Sequence, residues 1–125
     1  MKPTEIHYRH ILKRGDLTYH QDSDELVTGT VESFYDNGEL KYKSNYKDGK
    51  QEGLWELFYD DGQLRNRGNF KDGKRDGLVE DFHDNGQLQY RRNHKDGKLD
   101  GLWEIFDEDG NLTSTEMWKD GKLVE

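Results

Sequence analysis

The chain has no cysteine, one proline and no long hydrophobic run. Without cysteine there is no disulfide, no thiolate zinc site and no thiol redox chemistry. No stretch approaches the ~20 apolar residues of a membrane-spanning helix. The opening Met1-Lys2-Pro3-Thr4-Glu5 offers no apolar segment for a signal peptide. A soluble, cytoplasmic protein is therefore expected. Apolar residues are scarce too, at 30% against roughly 45–50% in ordinary globular domains. That is too little for a thick core. What is present is three Trp, seven Tyr and five Phe at regular intervals, with 14 Gly in turn contexts. There is no Ser- or Gln-rich tract, so the 37% of charged residues does not read as disorder. A thin, aromatic-rich sheet fits this balance better than a globule.

The net charge of −8 is unevenly spread: residues 101–125 carry seven acids against Lys119 and Lys122. An acidic excess argues against DNA, RNA or an anionic membrane as partner, and for a basic protein. A solubilising tail is the plainer alternative.

Internal periodicity decides the architecture. Gly38, Gly62, Gly86 and Gly110 recur every 24 residues, as do Gly49, Gly73, Gly97 and Gly121, and Gly29, Gly53, Gly77 and Gly101. The first series sits in Asp-Asn-Gly, Asp-Asp-Gly, Asp-Asn-Gly and Glu-Asp-Gly; the second sits in Lys-Asp-Gly-Lys every time. Asn-Gly and Asp-Gly are strong hairpin signals, because these turns need residues that tolerate φ > 0. Two turns per unit, at opposite ends of the strands, give an all-β fold: an elongated, single-layer antiparallel meander of 24-residue hairpins. The expected repeats are 29–52, 53–76, 77–100 and 101–125, preceded by an irregular capping hairpin at 1–28. Within that cap, Ile6–Leu12 is a candidate strand, and Arg14-Gly15-Asp16 turns the chain into Leu17–His20. The edge after Lys122-Leu123-Val124-Glu125 is less protected, which leaves edge pairing into a homodimer open.

A two-residue turn at Asp61-Gly62 would place Tyr59 opposite Leu64, Phe58 opposite Arg65, Leu57 opposite Asn66, Glu56 opposite Arg67, Trp55 opposite Gly68, Leu54 opposite Asn69 and Gly53 opposite Phe70. The same register faces Glu32 with Lys43 and Glu80 with Arg91, so opposite charges meet across the strands. A three-residue loop with a Gly bulge, the alternative, would shift it by one. One face then carries Trp55, Leu57, Tyr59, Leu64, Phe70, Val79, Leu88, Tyr90, Trp103, Ile105, Leu112 and Trp118. The other carries Leu54, Leu78 and Leu102 beside Phe34, Phe58, Phe82 and Phe106, interleaved with charge. The first, richer in rings, is the expected covered or concave side.

The unit Gly53-Leu54-Trp55-Glu56-Leu57-Phe58-Tyr59-Asp60-Asp61-Gly62-Gln63-Leu64, followed by Phe70-Lys71-Asp72-Gly73-Lys74, resembles the MORN-repeat variant. With Leu17-Thr18-Tyr19 and Val27-Thr28-Gly29, the chain from about residue 15 to 125 resembles the YwqK family of toxin–antitoxin antitoxins. The resemblance implies an extended sheet that binds and neutralises a protein toxin, and it carries no catalytic residues. Repeat three departs from it, with Val79 at the Trp position and His83 and His94 at ring positions.

No metal, cofactor or catalytic site is expected. His7, His10, His20, His83 and His94 are scattered, and Asp107-Glu108-Asp109-Gly110 lacks the spacing of a calcium loop. The acids recur with the repeat, so turns and cross-strand pairs explain them, and there is no nucleophile motif or phosphate loop. The candidate partner-binding residues are the rings Tyr42, Trp55, Tyr59, Phe70, Tyr90, Trp103 and Trp118; exposed aromatics near Arg are typical of binding hot spots. The expected function is non-catalytic binding of a protein, with a basic toxin domain as the candidate partner. A self-assembling scaffold without a toxin partner is the second reading.

Overall fold

Two kinds of turn build the molecule from Asp-Gly and Asn-Gly pairs. In the Lys-Asp-Gly-Lys turns, Asp48, Asp72, Asp96 and Asp120 have φ of 48–51° and the following glycines 81–83°. Two consecutive left-handed residues make a two-residue type I′ loop, so Lys47 faces Lys50 and Lys71 faces Lys74. At the opposite end only the glycine is left-handed. The Gly62 N–H donates to the Tyr59 carbonyl (3.0 Å) and the Tyr59 N–H to the Gln63 carbonyl (2.8 Å), closing a three-residue loop with a glycine bulge.

A second bulge, at Arg65, cancels the first. Phe58 faces Leu64, yet Leu57 faces Asn66, Glu56 faces Arg67, Trp55 faces Gly68 and Gly53 faces Phe70. The expected register therefore holds along most of the hairpin, while the expected Tyr59–Leu64 and Phe58–Arg65 pairs do not form. The other repeats behave alike: Phe34 faces Leu40, Phe82 faces Leu88 and Phe106 faces Leu112. A one-residue slip reverses the face, so Leu64, Leu88 and Leu112 lie with the phenylalanines and not on the Trp side.

The computed structural model describes residues 5–124; residues 1–4 of the expected cap and Glu125 of the expected last repeat lie outside the described residues. The strands are β1 (Glu5–His7), β2 (Ile11–Arg14), β3 (Leu17–His20), β4 (Gly29–Phe34), β5 (Leu40–Lys47), β6 (Lys50–Phe58), β7 (Leu64–Lys71), β8 (Lys74–Arg75), β9 (Gly77–Phe82), β10 (Leu88–Lys95), β11 (Lys98–Leu99), β12 (Gly101–Phe106), β13 (Leu112–Lys119) and β14 (Lys122–Val124). Twelve of them form one sheet, in the order β1-β4-β5-β6-β7-β9-β10-β12-β13-β14, with β8 on β7 and β11 on β10. From β4 onward every pairing is antiparallel, as a meander requires.

The N-terminal segment departs from expectation. Ile6–Leu12 is not one strand: the chain turns over Tyr8–His10, where the Arg9 N–H donates to His7 Nδ1 (3.1 Å). β1 pairs with β4 in parallel, Ile6 opposite Val31. β2 and β3 form a separate hairpin through Gly15-Asp16. That hairpin is held over the first Lys-Asp-Gly-Lys turn by main-chain bonds from Thr18 N–H to Gly49 O and from Gly49 N–H to Val27 O, both 2.8 Å. Ile6, Val27 and Val31 make the small core beneath it.

Repeats are stitched at both ends. Each turn glycine reaches back to the preceding repeat: Gly73 N–H to Gln51 O, Gly97 N–H to Arg75 O and Gly121 N–H to Leu99 O, at 2.8–3.0 Å. At the other end Tyr35 donates its hydroxyl to Phe58 O (2.6 Å) and Tyr59 to Phe82 O (2.7 Å), and His83 Nε2 lies 3.1 Å from Phe106 O. Across the middle of one face Glu32, Lys43, Glu56, Arg67, Glu80, Arg91 and Glu104 oppose one another in turn. The close ion pairs link neighbouring repeats, Arg67 with Glu80 (3.0 Å) and Arg91 with Glu104 (2.8 Å). Partly exposed pairs of this kind add little stability each; as a ladder they specify register.

Candidate functional site

The two faces differ in depth. On the Leu/Phe face, Phe34, Leu54, Leu78 and Leu102 stand exposed between charges. On the ring face the side chains sink against the sheet. Trp55 is 4% exposed and Val79 fully buried, and Ser44 is buried beside them. The cause at Trp55 is local. Gly68 lies opposite it, and a Cβ there would stand 2.9–3.1 Å from the indole. Bare backbone lets the ring lie flat, as the expected pairing of rings with glycines requires.

All seven expected ring residues are on this face, but they are not equivalent. Trp55 is buried against Phe70 (centroids 6.1 Å) with the Arg75 guanidinium 5.3 Å from its ring. It is therefore a foundation and not a contact surface. Tyr42, Tyr59, Phe70, Tyr90, Trp103 and Trp118 are half-buried and present an edge or face to solvent. Tyr90 meets Trp103 edge-on at 5.9 Å, and Trp103 leans on Trp118 at 5.8 Å. Tyr42 accepts a hydrogen bond from Gln51 Nε2 (2.8 Å). Five of the rings thus fall into two groups, Trp55–Phe70 and Tyr90–Trp103–Trp118, with Tyr42 and Tyr59 standing apart from both.

Between the groups the third repeat is polar. Asp81 Oδ2 lies 3.0 Å from Arg92 Nη2, with the two side chains 18% and 22% exposed. Arg92 stacks under Trp103 at 5.6 Å. Asn66 faces Asp81 from β7. These residues border a hollow of about 440 Å3 whose rim includes Tyr59, Arg65, Tyr90 and Trp103. Ring-counting misses Asn66, Asp81 and Arg92. Reading the repeats column by column finds all three: Tyr42, Tyr90 and Ser114 stand where Asn66 does, Ser33, Leu57 and Ile105 where Asp81 does, and Ser44, Gly68 and Glu116 where Arg92 does.

The histidines have structural places. His83 takes the tethering role of Tyr35 and Tyr59. His94 is buried in the column of Tyr46, Phe70 and Trp118; burial, then the charges of Arg92 and Arg75, lowers its pKa from 6.5, against the opposing pull of Asp81. Asp107 caps its own turn by accepting the N–H groups of Asp109 (3.0 Å) and Asn111 (2.9 Å), and its pKa is lowered chiefly by the Asn111 bond. No group of three or more His, Cys, Asp or Glu that could hold a metal occurs among the described residues. No helix among them is long and apolar enough to cross a membrane.

Comparison with known protein families agrees with this geometry. The MORN repeat variant matches four times, at residues 27–48, 51–72, 75–96 and 99–120, over most of the chain. The chain belongs to the MORN repeat variant family. Each match begins within two residues of the start of a repeat's first long strand and ends at the Asp of the next Lys-Asp-Gly-Lys turn, so the family unit and the structural hairpin nearly coincide. MORN repeats are in general protein- or membrane-binding motifs, and an all-β array of them is not a typically catalytic fold. No curated protein matches the chain.

Proposed function

We propose that this MORN-variant chain is a non-catalytic binding protein of the antitoxin or immunity kind, which neutralises a toxin domain by covering it with the ring face. The observation that carries the reading is the ring face itself. Six half-buried aromatics, with arginines stacked among them, lie on a sheet face that no second layer covers, among the described residues, beyond the N-terminal hairpin over the first repeat. A folded chain gains by burying such rings, so an uncovered row of them is a surface waiting for a guest. The acidic excess at 101–125 would steer a basic partner toward it.

The test is co-expression with the product of an adjacent gene. A stable co-purified complex, relief of growth arrest by the wild-type chain, and loss of both with Tyr90→Ala/Trp103→Ala in a folded variant are expected. A complex that survives the double variant unchanged would place binding elsewhere.

One further observation favours a second reading. β14 covers β13 only from Met117 to Lys119, so Leu112–Glu116 keep an unpaired outer edge among the described residues. An open edge can recruit another strand, which would make the protein a self-assembling scaffold. Sedimentation separates the two readings: a monomer at high concentration excludes the scaffold.

A further inference from the structure

The Asp81–Arg92 pair is not part of the repeating unit. Three other repeats build the same two positions from Ser33, Leu57 and Ile105, and from Ser44, Gly68 and Glu116. A mostly buried ion pair is a poor stabiliser, since desolvation offsets its attraction. Its presence in one repeat alone, at the floor of the hollow, asks for another explanation.

The lining supplies one. Arg65 and Arg92 face a single carboxylate, Asp81, so the hollow has a surplus cation in a chain of net charge −8. Arg65 is exposed, lies over the Tyr59 ring at 5.8 Å and forms no ion pair among the described residues. Arg92 Nη2 lies 3.0 Å from Asp81 Oδ2 as an ion pair without a hydrogen bond, and neither the Arg92 Nε–H nor the Trp103 Nε1–H finds an acceptor among the described residues. Two buried acceptors, Asn66 Oδ1 and Asp81 Oδ2, also make no hydrogen bond among the described residues, so the polar floor is unsatisfied on both sides and the surplus lies in the cationic charge. Guanidinium groups bind planar oxyanions in pairs of parallel hydrogen bonds. One surplus charge matches a monoanion, and the flanking rings of Tyr59, Tyr90 and Trp103 favour the apolar stem of a side chain over a hydrated phosphate.

We propose that this hollow receives one acidic side chain, a glutamate or aspartate, presented by the partner protein, with Arg65 and Arg92 holding its carboxylate and the three rings its stem. Asp81 is the internal stand-in that occupies Arg92 until the guest arrives. The inference rests on the reading of the ring face as a protein-binding surface. It adds a local cationic requirement inside an acidic field, and such a mixed pattern rejects partners that are merely basic.

The probe is a capped tripeptide, acetyl-Tyr-Glu-Tyr-amide, beside its Tyr-Gln-Tyr counterpart and inorganic phosphate. The Trp103 indole N–H signal is followed by NMR at low salt. The Glu peptide should move it, with the Gln peptide at least tenfold weaker and phosphate without effect. Arg65→Gln, an exposed change that leaves the fold intact, should weaken the Glu peptide several-fold. Asp81→Asn should tighten it, because the internal competitor is gone; a purely structural ion pair would give loss instead. Equal binding of the Gln peptide would overturn the proposal and leave the ring face as a binding surface. Weakening by Asp81→Asn in a folded variant, a phosphate response equal to that of the Glu peptide, or no response to either peptide would also overturn it.

Discussion

At the scale of single residues, the informative positions are those where one repeat differs from the others. His94 stands where Tyr46, Phe70 and Trp118 supply rings. Burial and the nearby Arg92 and Arg75 lower its pKa from 6.5, so the folded protein resists protonating it while the unfolded chain does not. The unfolded state then binds more protons below about pH 6.5, and stability falls as pH drops through that region. His94→Phe should flatten this part of the profile. Urea midpoints for the two proteins between about pH 7 and 5 test it, since the other titrating groups are common to both; parallel profiles would refute it. Gly68 is the complementary case. Its backbone is unstrained, but a methyl group there meets the buried Trp55 indole. Gly68→Ala should cost about 1–3 kcal/mol, the usual penalty for overpacking, read as a lower thermal midpoint. An unchanged midpoint would mean that the indole swings away freely.

At the scale of the hairpin, Asp-Gly alone does not fix the turn. Both turn types contain it. In the lysine turns Asp48 and Gly49 are both left-handed, whereas in the Tyr59–Gln63 turn only Gly62 is. The residue that decides is Asp60, which lengthens the loop to three, and the bulge at Arg65 then restores the pairing. The period, the strands and most of the register were therefore legible in the sequence, while the compensating bulges were not, because they cancel in the pattern of alternation. The parallel pairing of β1 was hidden for another reason: it joins residues far apart in sequence through a three-residue strand. Of the candidate site, the position of the rings on one face was legible from periodicity, and the Asp81–Arg92 pair only from comparing columns. The turns also show where a tether is missing. Asn37 and Asn85 each accept from their own turn and donate to the next repeat, at Asp60 O (2.8 Å) and Glu108 O (2.9 Å). Asp61 accepts from Gln63 N–H in the same way but has no donor. Asp61→Asn should add the third tether and stabilise by up to about 1 kcal/mol, the net value of one hydrogen bond. A denaturant midpoint that does not rise would count against the tethers as a source of stability.

At the scale of the whole molecule, the array has few buried apolar side chains and they are unevenly placed. Ile6, Val27, Val31, Trp55 and Val79 are buried, all before β10, and the fourth repeat contributes none of them. Its ends are also less tied down. Asp107 folds back on its own turn where Tyr35, Tyr59 and His83 reach forward, and Leu112–Glu116 have no outer partner strand among the described residues. In a stack whose units touch only their neighbours, stability is close to a sum of local terms, so loosening need not be shared by the whole chain. Amide hydrogen exchange should then show a gradient, with β4, β6 and β9 protected longest and β13 and β14 exchanging first. The gradient bears on the proposed function, because Trp118 and one side of the Trp103 cluster rest on β13. A partner that covers the ring face should slow exchange in β12 and β13 more than in β6. Uniform protection along the free chain would mean that it opens as one cooperative unit, and the fourth repeat would then be no softer than the rest.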